Sequence, residues 1–312
     1  MTIKAIDLFA GLGGMTQGAT AAGVDVVWAA NHWPDAVETH ARNHPGTEHA
    51  CQDLQQANWE QVPAHDLLLA SPCCQAFSVA KGKDGPQHDA SRSTPWAVVS
   101  AAEVHKPGVF IVENVEEMMN WKLFESWRHA MHALGYSIAP HVLDAADFGV
   151  PQNRERVFFV GTRSKHPIKL KLKTREHQAI RPFIDWDGPW GWRRVKDKAL
   201  NTRKRVANGR KQLRCDRFLA PFYGSGSGLT GRSLDRPVGT ITTRDRWLLV
   251  DGDKCRMLQV PEILAGMGFP ADYKLPLKRG GKIHRRQAVH MLGNAVCPPV
   301  ITHLINAVRE AV

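Results

Sequence analysis

IKAIDLFAGLGGMTQGATAAGVDVVWAAN, residues 3–31, decides how the chain is read. IKAIDLF (3–9) is a short apolar run of strand formers, and GLGG (11–14) breaks it. MTQGATAAG (15–23) has the composition of a helix closing on Gly23, and VDVVWAAN (24–31) is the next strand. Strand, glycine turn, helix and strand make one unit of a doubly wound α/β fold, which places a ligand at the carboxyl end of the first strand. The glycines read G-x-G-G, with Thr16 where a dinucleotide turn has its third glycine. Such a turn still lets a ligand's sugar and amino-acid portion lie against the backbone, which fits S-adenosylmethionine. A tight turn with no ligand is the alternative.

Further strands follow at α/β spacing. HDLLLASP (65–72) leads into SPCCQAFS (71–78), GVFIVENV (108–115) ends in Glu113-Asn114-Val115, and VFFVGT (157–162) comes directly after QNRER (152–156). A thiol, a carboxylate and guanidinium groups are thus expected at one rim of the sheet, where buried sheets place their ligands. Each motif alone has a structural reading: a helix cap, a solvated turn, core cysteines. Their convergence favours a site.

Length and composition agree. The 312 residues suffice for one large core and a smaller appended domain. Hydrophobic residues make up 43% and charged residues 23%, which argues against disorder. The start has too short an apolar run for a signal peptide, and no stretch is expected to span a membrane, so a soluble cytoplasmic protein is expected. The six cysteines show no C-x-x-C pair and no zinc-like spacing, so neither a metal nor a disulfide framework is expected.

Charge is concentrated. Thr162 to Arg217 holds 18 Lys+Arg against 5 Asp+Glu, a local +13 in a chain whose net charge is +11. RPFIDWDGPWGWRR (181–194) and NTRKRVANGRKQLR (201–214) interleave this charge with apolar and aromatic residues, as a nucleic-acid surface would. A solvated face is the alternative.

Taken together, the motifs resemble the DNA cytosine-5 methyltransferase family, in family order and over nearly the whole chain. DLFAGLGG (7–14) resembles its cofactor motif, PCCQAFS (72–78) its nucleophile motif, ENV (113–115) its carboxylate motif and QNRER (152–156) its arginine motif. GNAV (293–296) resembles the closing motif, and RPVGTITTRDRW (236–247) the support of the recognition domain. The resemblance implies a Rossmann-like S-adenosylmethionine-dependent methyltransferase domain over 1–162 plus 284–312. A small basic target-recognition domain over 163–283 completes it.

The resemblance also assigns roles. Cytosine carbon 5 is a poor nucleophile, and a thiolate adding to carbon 6 makes it an enamine. Aligning Gln75, Phe77 and Ser78 makes Cys74 that nucleophile, with Cys73 replacing the family's second proline. Glu113 is implied to bond ring N3, and Arg156 to hold O2, with Arg154 beside it. The cytosine must leave its helix to be reached. Phe9, Ala10, Gly11, Leu12, Gly14, Asp53, Asn294 and Ala295 match cofactor positions; Asn31 stands where the family has a ribose-binding glutamate, and His32 where it often has an aromatic ring.

The implied partner is double-stranded DNA, bound by a monomer in a bacterial or phage-infected cell. Base readers are expected among Arg193, Arg194, Arg203 and Arg205, and phosphate contacts at Lys204 and Lys211, with GSGSGLTGR (224–232) as the other candidate region. A transfer-RNA methyltransferase of the same fold and a non-catalytic nucleic-acid-binding protein are the alternatives. The complete set Cys74, Glu113 and Arg156 speaks against the latter.

Overall fold

Apolar runs without alternation belong to strands covered on both faces, and the first strand is one: Ala5, Ile6, Asp7 and Leu8 are all buried. The computed structural model describes residues 2–74, 77, 92–222, 230–277 and 281–312. In chain order the elements are β1 (Lys4–Leu8), α1 (Gly14–Ala21), β2 (Asp25–Asn31), α2 (Pro34–Asn43), β3 (Glu48–Cys51), β4 (Leu67–Ala70), α3 (Trp96–His105), β5 (Val109–Asn114), α4 (Phe124–Ala133), β6 (Ser137–Asp144) and β7 (Glu155–Thr162). Then come β8 (Arg193–Arg194), α5 (Leu200–Leu213), β9 (Arg217–Pro221), β10 (Arg232–Ser233), β11 (Trp247–Asp251), β12 (Lys254–Met257), α6 (Val260–Gly266), α7 (Arg285–Asn294) and α8 (Pro298–Ala311).

The chain divides into two compact units, one of Met1–Asp144, Glu155–Thr174 and Ala295–Val312, the other of Ala145–Arg154 and Arg175–Asn294. Residues 145–154 and α7 therefore pack with the second unit, where the sequence reading has them in the larger domain. The arginine motif is itself divided, with Arg154 in one unit and Arg156 in the other.

The first unit is built on a seven-stranded sheet of order β3-β2-β1-β4-β5-β7-β6. Strands β1 to β5 are parallel neighbours, whereas β7 runs antiparallel to both β5 and β6. Strand order reverses between β1 and β4, and the carboxyl ends there form the crevice in which open α/β sheets bind ligands. The reversed β7 matters for the arginine motif. In a parallel strand, residues preceding VFFVGT would sit at the opposite rim; running backwards, β7 begins where β5 ends, pairing Asn114 with Val157 and Glu113 with Phe158.

Local signals explain the boundaries. Helix α1 ends in a Schellman motif: Gly23, at φ 73°, donates to Thr20 O, and Val24 donates to Ala19 O. Helix α8 lies against α1, where Thr302 Oγ1 donates to Gly18 O at 2.9 Å and Arg309 to Ala22 O. Gly18 has no room for a side chain, since an added Cβ would lie 2.7 Å from Ile301 Cβ. By length and composition Arg285–Ala311 could cross a membrane, but 72% of its most apolar window is buried within the protein, and Ala295–Cys297 interrupts it.

The second unit holds a five-stranded antiparallel sheet, β10-β9-β11-β12-β8. Helix α5 closes one face with a small core of Val206, Phe218, Ala220, Leu248, Val250 and Cys255. A buried charge pair, which the sequence reading does not anticipate, ties this unit together. Arg256 makes two bonds to Glu262, at 2.7 and 2.8 Å, and Glu262 also accepts from the backbone of Gln259 at the start of α6.

Candidate active site

The loop after β4 is pinned to strands on both sides. Ser71 N donates to Leu8 O at 3.1 Å and its hydroxyl to Phe9 O at 3.2 Å, while Asn114 Nδ2 donates to Pro72 O at 3.1 Å. The next residues are Cys73 and Cys74, both half-buried. Cys74 O accepts from Phe77 N at 3.0 Å, and the Phe77 ring packs edge-on against Trp121 at 5.5 Å. The backbone of Cys74 is thus held from both directions. Gln75, Ala76 and Ser78 lie outside the described residues. The tether at Asn114 escapes a sequence reading of ENV, which looks only to the carboxylate.

Glu113 and Arg156 come together through sheet register. Glu113 stands opposite Phe158, and Arg156, two residues from Phe158, shares that face as the diagonal neighbour. A slip of one residue would send it to the other face. Arg156 Nε lies 3.2 Å from Glu113 Oε1, with their side chains 17% and 7% exposed. Nearly dry surroundings strengthen this pair.

Arg154 has a different setting. Its guanidinium is buried and donates to Ile241 O and Gly293 O at 3.0 Å each, all within the second unit. There it ties the segment after RPVGT to the last turn of α7, where an added Cβ on Gly293 would meet the backbone of Thr242 and Thr243. The expectation of Arg154 as a catalytic group has no support in these bonds.

Eight of the ten expected cofactor positions lie at or just beyond the carboxyl ends of three adjacent strands, β1, β2 and β3. After β1, Phe9 (φ 59°), Gly11 (φ 52°) and Gly13 (φ 98°) take left-handed conformations, costing roughly 1–2 kcal/mol at the non-glycine Phe9. Ala10 and Leu12 are buried, so a ligand could meet this turn mainly through its backbone. At the end of β2, Asn31 Oδ1 accepts from Trp33 N at 2.9 Å, which leaves the Nδ2 side of the amide for donation. His32 is exposed, and beyond β3 Asp53 Oδ1 accepts from Gln55 N while the residue stays exposed. Gly14 abuts the closing motif: an added Cβ would overlap Val296 O and lie 3.0 Å from its carbonyl carbon. Ala295 is buried in this unit, and Asn294 is exposed at the end of α7 in the other. A backbone-lined turn, an amide and a carboxylate at successive strand ends suit the amino-acid, ribose and adenine parts of S-adenosylmethionine.

Behind the turn lies a buried polar chain that sequence reasoning missed. Asp7 Oδ2 accepts from both the amide (3.1 Å) and the hydroxyl (2.7 Å) of Thr16. His40 Nε2 lies 3.1 Å from that hydroxyl, and His40 Nδ1 lies 2.7 Å from His49 Nε2. Because the Thr16 hydrogen goes to Asp7, donation runs one way, from His49 to His40 to Thr16 to Asp7, with both rings neutral. Burial pushes the Asp7 carboxyl up to about 7 and His40 well below its usual 6.5. Burial also lowers His44, beside His40, and the distant His65 to about 4.

These shifts oppose one another. Histidines lowered in the folded state stabilise above pH 6.5, and that stability is lost as the pH falls and the unfolded chain takes up protons. The raised Asp7 works in reverse, its contribution being lost as the pH rises through about 7. Between pH 7 and 5, His44 and His65 should together subtract about 3–4 kcal/mol while Asp7 returns about 2. Urea unfolding should show a net loss at pH 5, and a His44→Gln/His65→Gln variant should lose less. An equal loss in that variant would refute the attribution.

In the second unit, the expected nucleic-acid contacts separate. Arg193 and Arg194 form the exposed edge strand β8, and Arg203, Lys204 and Lys211 are exposed on α5. Arg205 is half-buried, with its guanidinium 4.3 Å above the Phe222 ring, so that group packs against the unit's own aromatic surface. Of GSGSGLTGR, residues 224–229 lie outside the described residues.

Known proteins resemble this chain in sequence and in fold. The chain is 34% identical over 318 residues to the Type II methyltransferase M.HhaI of Haemophilus parahaemolyticus, covering 97% of this chain and 93% of that one. It is 29% identical to M.NlaX of Neisseria lactamica, over 99% and 96% of the two chains. Its fold superposes on a DNMT2 variant from Spodoptera frugiperda with a TM-score of 0.72, 18% identity and coverage of 99% and 100%. Residues 3–310 match the family described as C-5 cytosine-specific DNA methylase, and with its strand order and rim motifs the chain belongs to that family.

Proposed function

We propose that this enzyme methylates carbon 5 of a cytosine turned out of duplex DNA within a specific sequence, using S-adenosylmethionine. The observation that carries the reading is the Glu113–Arg156 pair, held by register at the same rim as the doubly tethered Cys74 loop. S-adenosylmethionine supplies an electrophilic methyl group. Phe9, Ala10, Gly11, Leu12 and Gly14 would line its amino-acid portion, Asn31 its ribose, and Asp53 and His32 its adenine, with Ala295 closing the site.

The chain's own groups prepare the base. The Cys74 thiolate adds to carbon 6, and the ring gains negative charge that a protonated Glu113 carboxyl relieves by donating to N3 and Arg156 by donating to O2. Their mutual contact holds both in place until the cytosine takes it over. Loss of the carbon 5 proton and departure of the thiolate then restore the ring. Arg154 serves as a structural tie in this reading.

Arg193, Arg194 and Arg203, with Lys204 and Lys211, are proposed to meet the duplex, the arginines reading bases and the lysines phosphates. The Type II names of the curated relatives support a fixed target sequence. Bisulfite sequencing of DNA from cells expressing the protein should reveal 5-methylcytosine at one recurring sequence. DNA left unmethylated while cellular RNA gains the mark would overturn the reading.

A further inference from the structure

Arg163 to Thr174, RSKHPIKLKLKT, runs without helix or strand in the first unit. Its residues nevertheless alternate: Ile168, Leu170 and Leu172 are half-buried, while Lys169, Lys171 and Lys173 are exposed, as is Lys165. Over 167–173 the alternation is that of an extended segment, with Lys169, Lys171 and Lys173 on its exposed side. The stretch contains no Asp or Glu. Among the described residues none of these four lysines enters an ion pair. Arg163 differs, its guanidinium lying 5.7 Å over the Tyr136 ring.

The geometry points to a phosphate-gripping comb: Lys165, Lys169, Lys171 and Lys173 bind the backbone of duplex DNA whatever its sequence, from the unit that carries Cys74. This rests on the reading of the chain as a DNA methyltransferase. Alternate residues of an extended chain are about 6.6–6.8 Å apart, about two base steps along the axis of a duplex. Lys169, Lys171 and Lys173 therefore fall in step with charges on a duplex, and Lys165 adds a fourth cation to the same segment. Ammonium groups on flexible stems suit this task, since they act as point charges and need no fixed hydrogen-bond geometry. Sequence-independent affinity and base reading would then be separate, in the first and second units respectively. The competing explanation, lysines that keep an exposed extended segment from pairing with other chains, predicts no effect on DNA.

The test replaces all four lysines by glutamine in the full-length protein and measures binding to duplexes with and without the target at several salt concentrations. The slope of log affinity against log salt should fall by about 3–4, near 0.9 for each phosphate no longer neutralised. Affinity should drop by the same factor on both duplexes, while the methylated sequence and the thermal midpoint stay as in the wild type. A slope on duplex DNA within one unit of the wild type overturns the comb. So does a loss seen only on a structured RNA. Wild-type methylation of DNA is scored separately: its absence refutes the enzymatic reading, whereas the comb stands or falls on the slope alone.

Discussion

Cys74→Ser is expected to lower methyl transfer by at least about a thousandfold, because a serine hydroxyl is hardly ionised at neutral pH and adds poorly to a ring carbon. The fold should survive, since the loop is held by backbone and neighbour contacts at Ser71, Pro72 and Phe77, none of which uses the sulfur. Cys73→Ala should keep much of the activity. Trapping on DNA containing 5-fluorocytosine, followed by peptide mapping, identifies the attacking thiol: in the wild type the adduct is expected on Cys74. An adduct on Cys73, or a Cys74→Ser protein that still methylates well, would overturn the assignment.

Gly14→Ala should destabilise the protein by about 3 kcal/mol, toward the upper end of overpacking costs. The atoms an added methyl would meet are the backbone of Val296, which cannot swing aside as a flexible side chain can. Cofactor affinity should fall with it, since relief of the clash must move either the glycine turn or the closing motif. Gly46→Ala is the control, because nothing lies within 4 Å of an added Cβ there and its φ is ordinary. It should shift stability by no more than about 0.5 kcal/mol. Urea unfolding of both variants, with calorimetric titration of S-adenosylhomocysteine, makes the comparison. Equal stability of the two would mean that the closing motif does not bear on the turn.

Much of this was legible in the sequence because short-range signals carried it. Glycine turns, apolar runs and strand-end polar residues located β1, β2, β4 and β5 and the residues now found beside their ends. Long-range pairing was not legible. Nothing in VFFVGT states that β7 runs backwards, yet that reversal is what places Arg156 on the face of Glu113. Thr16 stands in the sequence as a missing glycine, whereas its hydroxyl and amide bind Asp7, a partnership visible only when α1 folds over β1. Arg154 and Arg156 look equivalent in QNRER, and burial separates them: one is bonded to carbonyls of a distant segment, the other to a carboxylate.

The bond from Thr302 to Gly18 joins residues 284 apart in sequence. On a ribosome adding about 5–20 residues per second, α1 would wait roughly 15–60 s for its covering helix. During that interval the close-approach surface at Gly14 and Gly18 has no partner from the C-terminal segment, so the cofactor end of the nascent enzyme stays unfinished. Methylating competence would arrive abruptly, with α8, and chains abandoned before Pro298 would lack it.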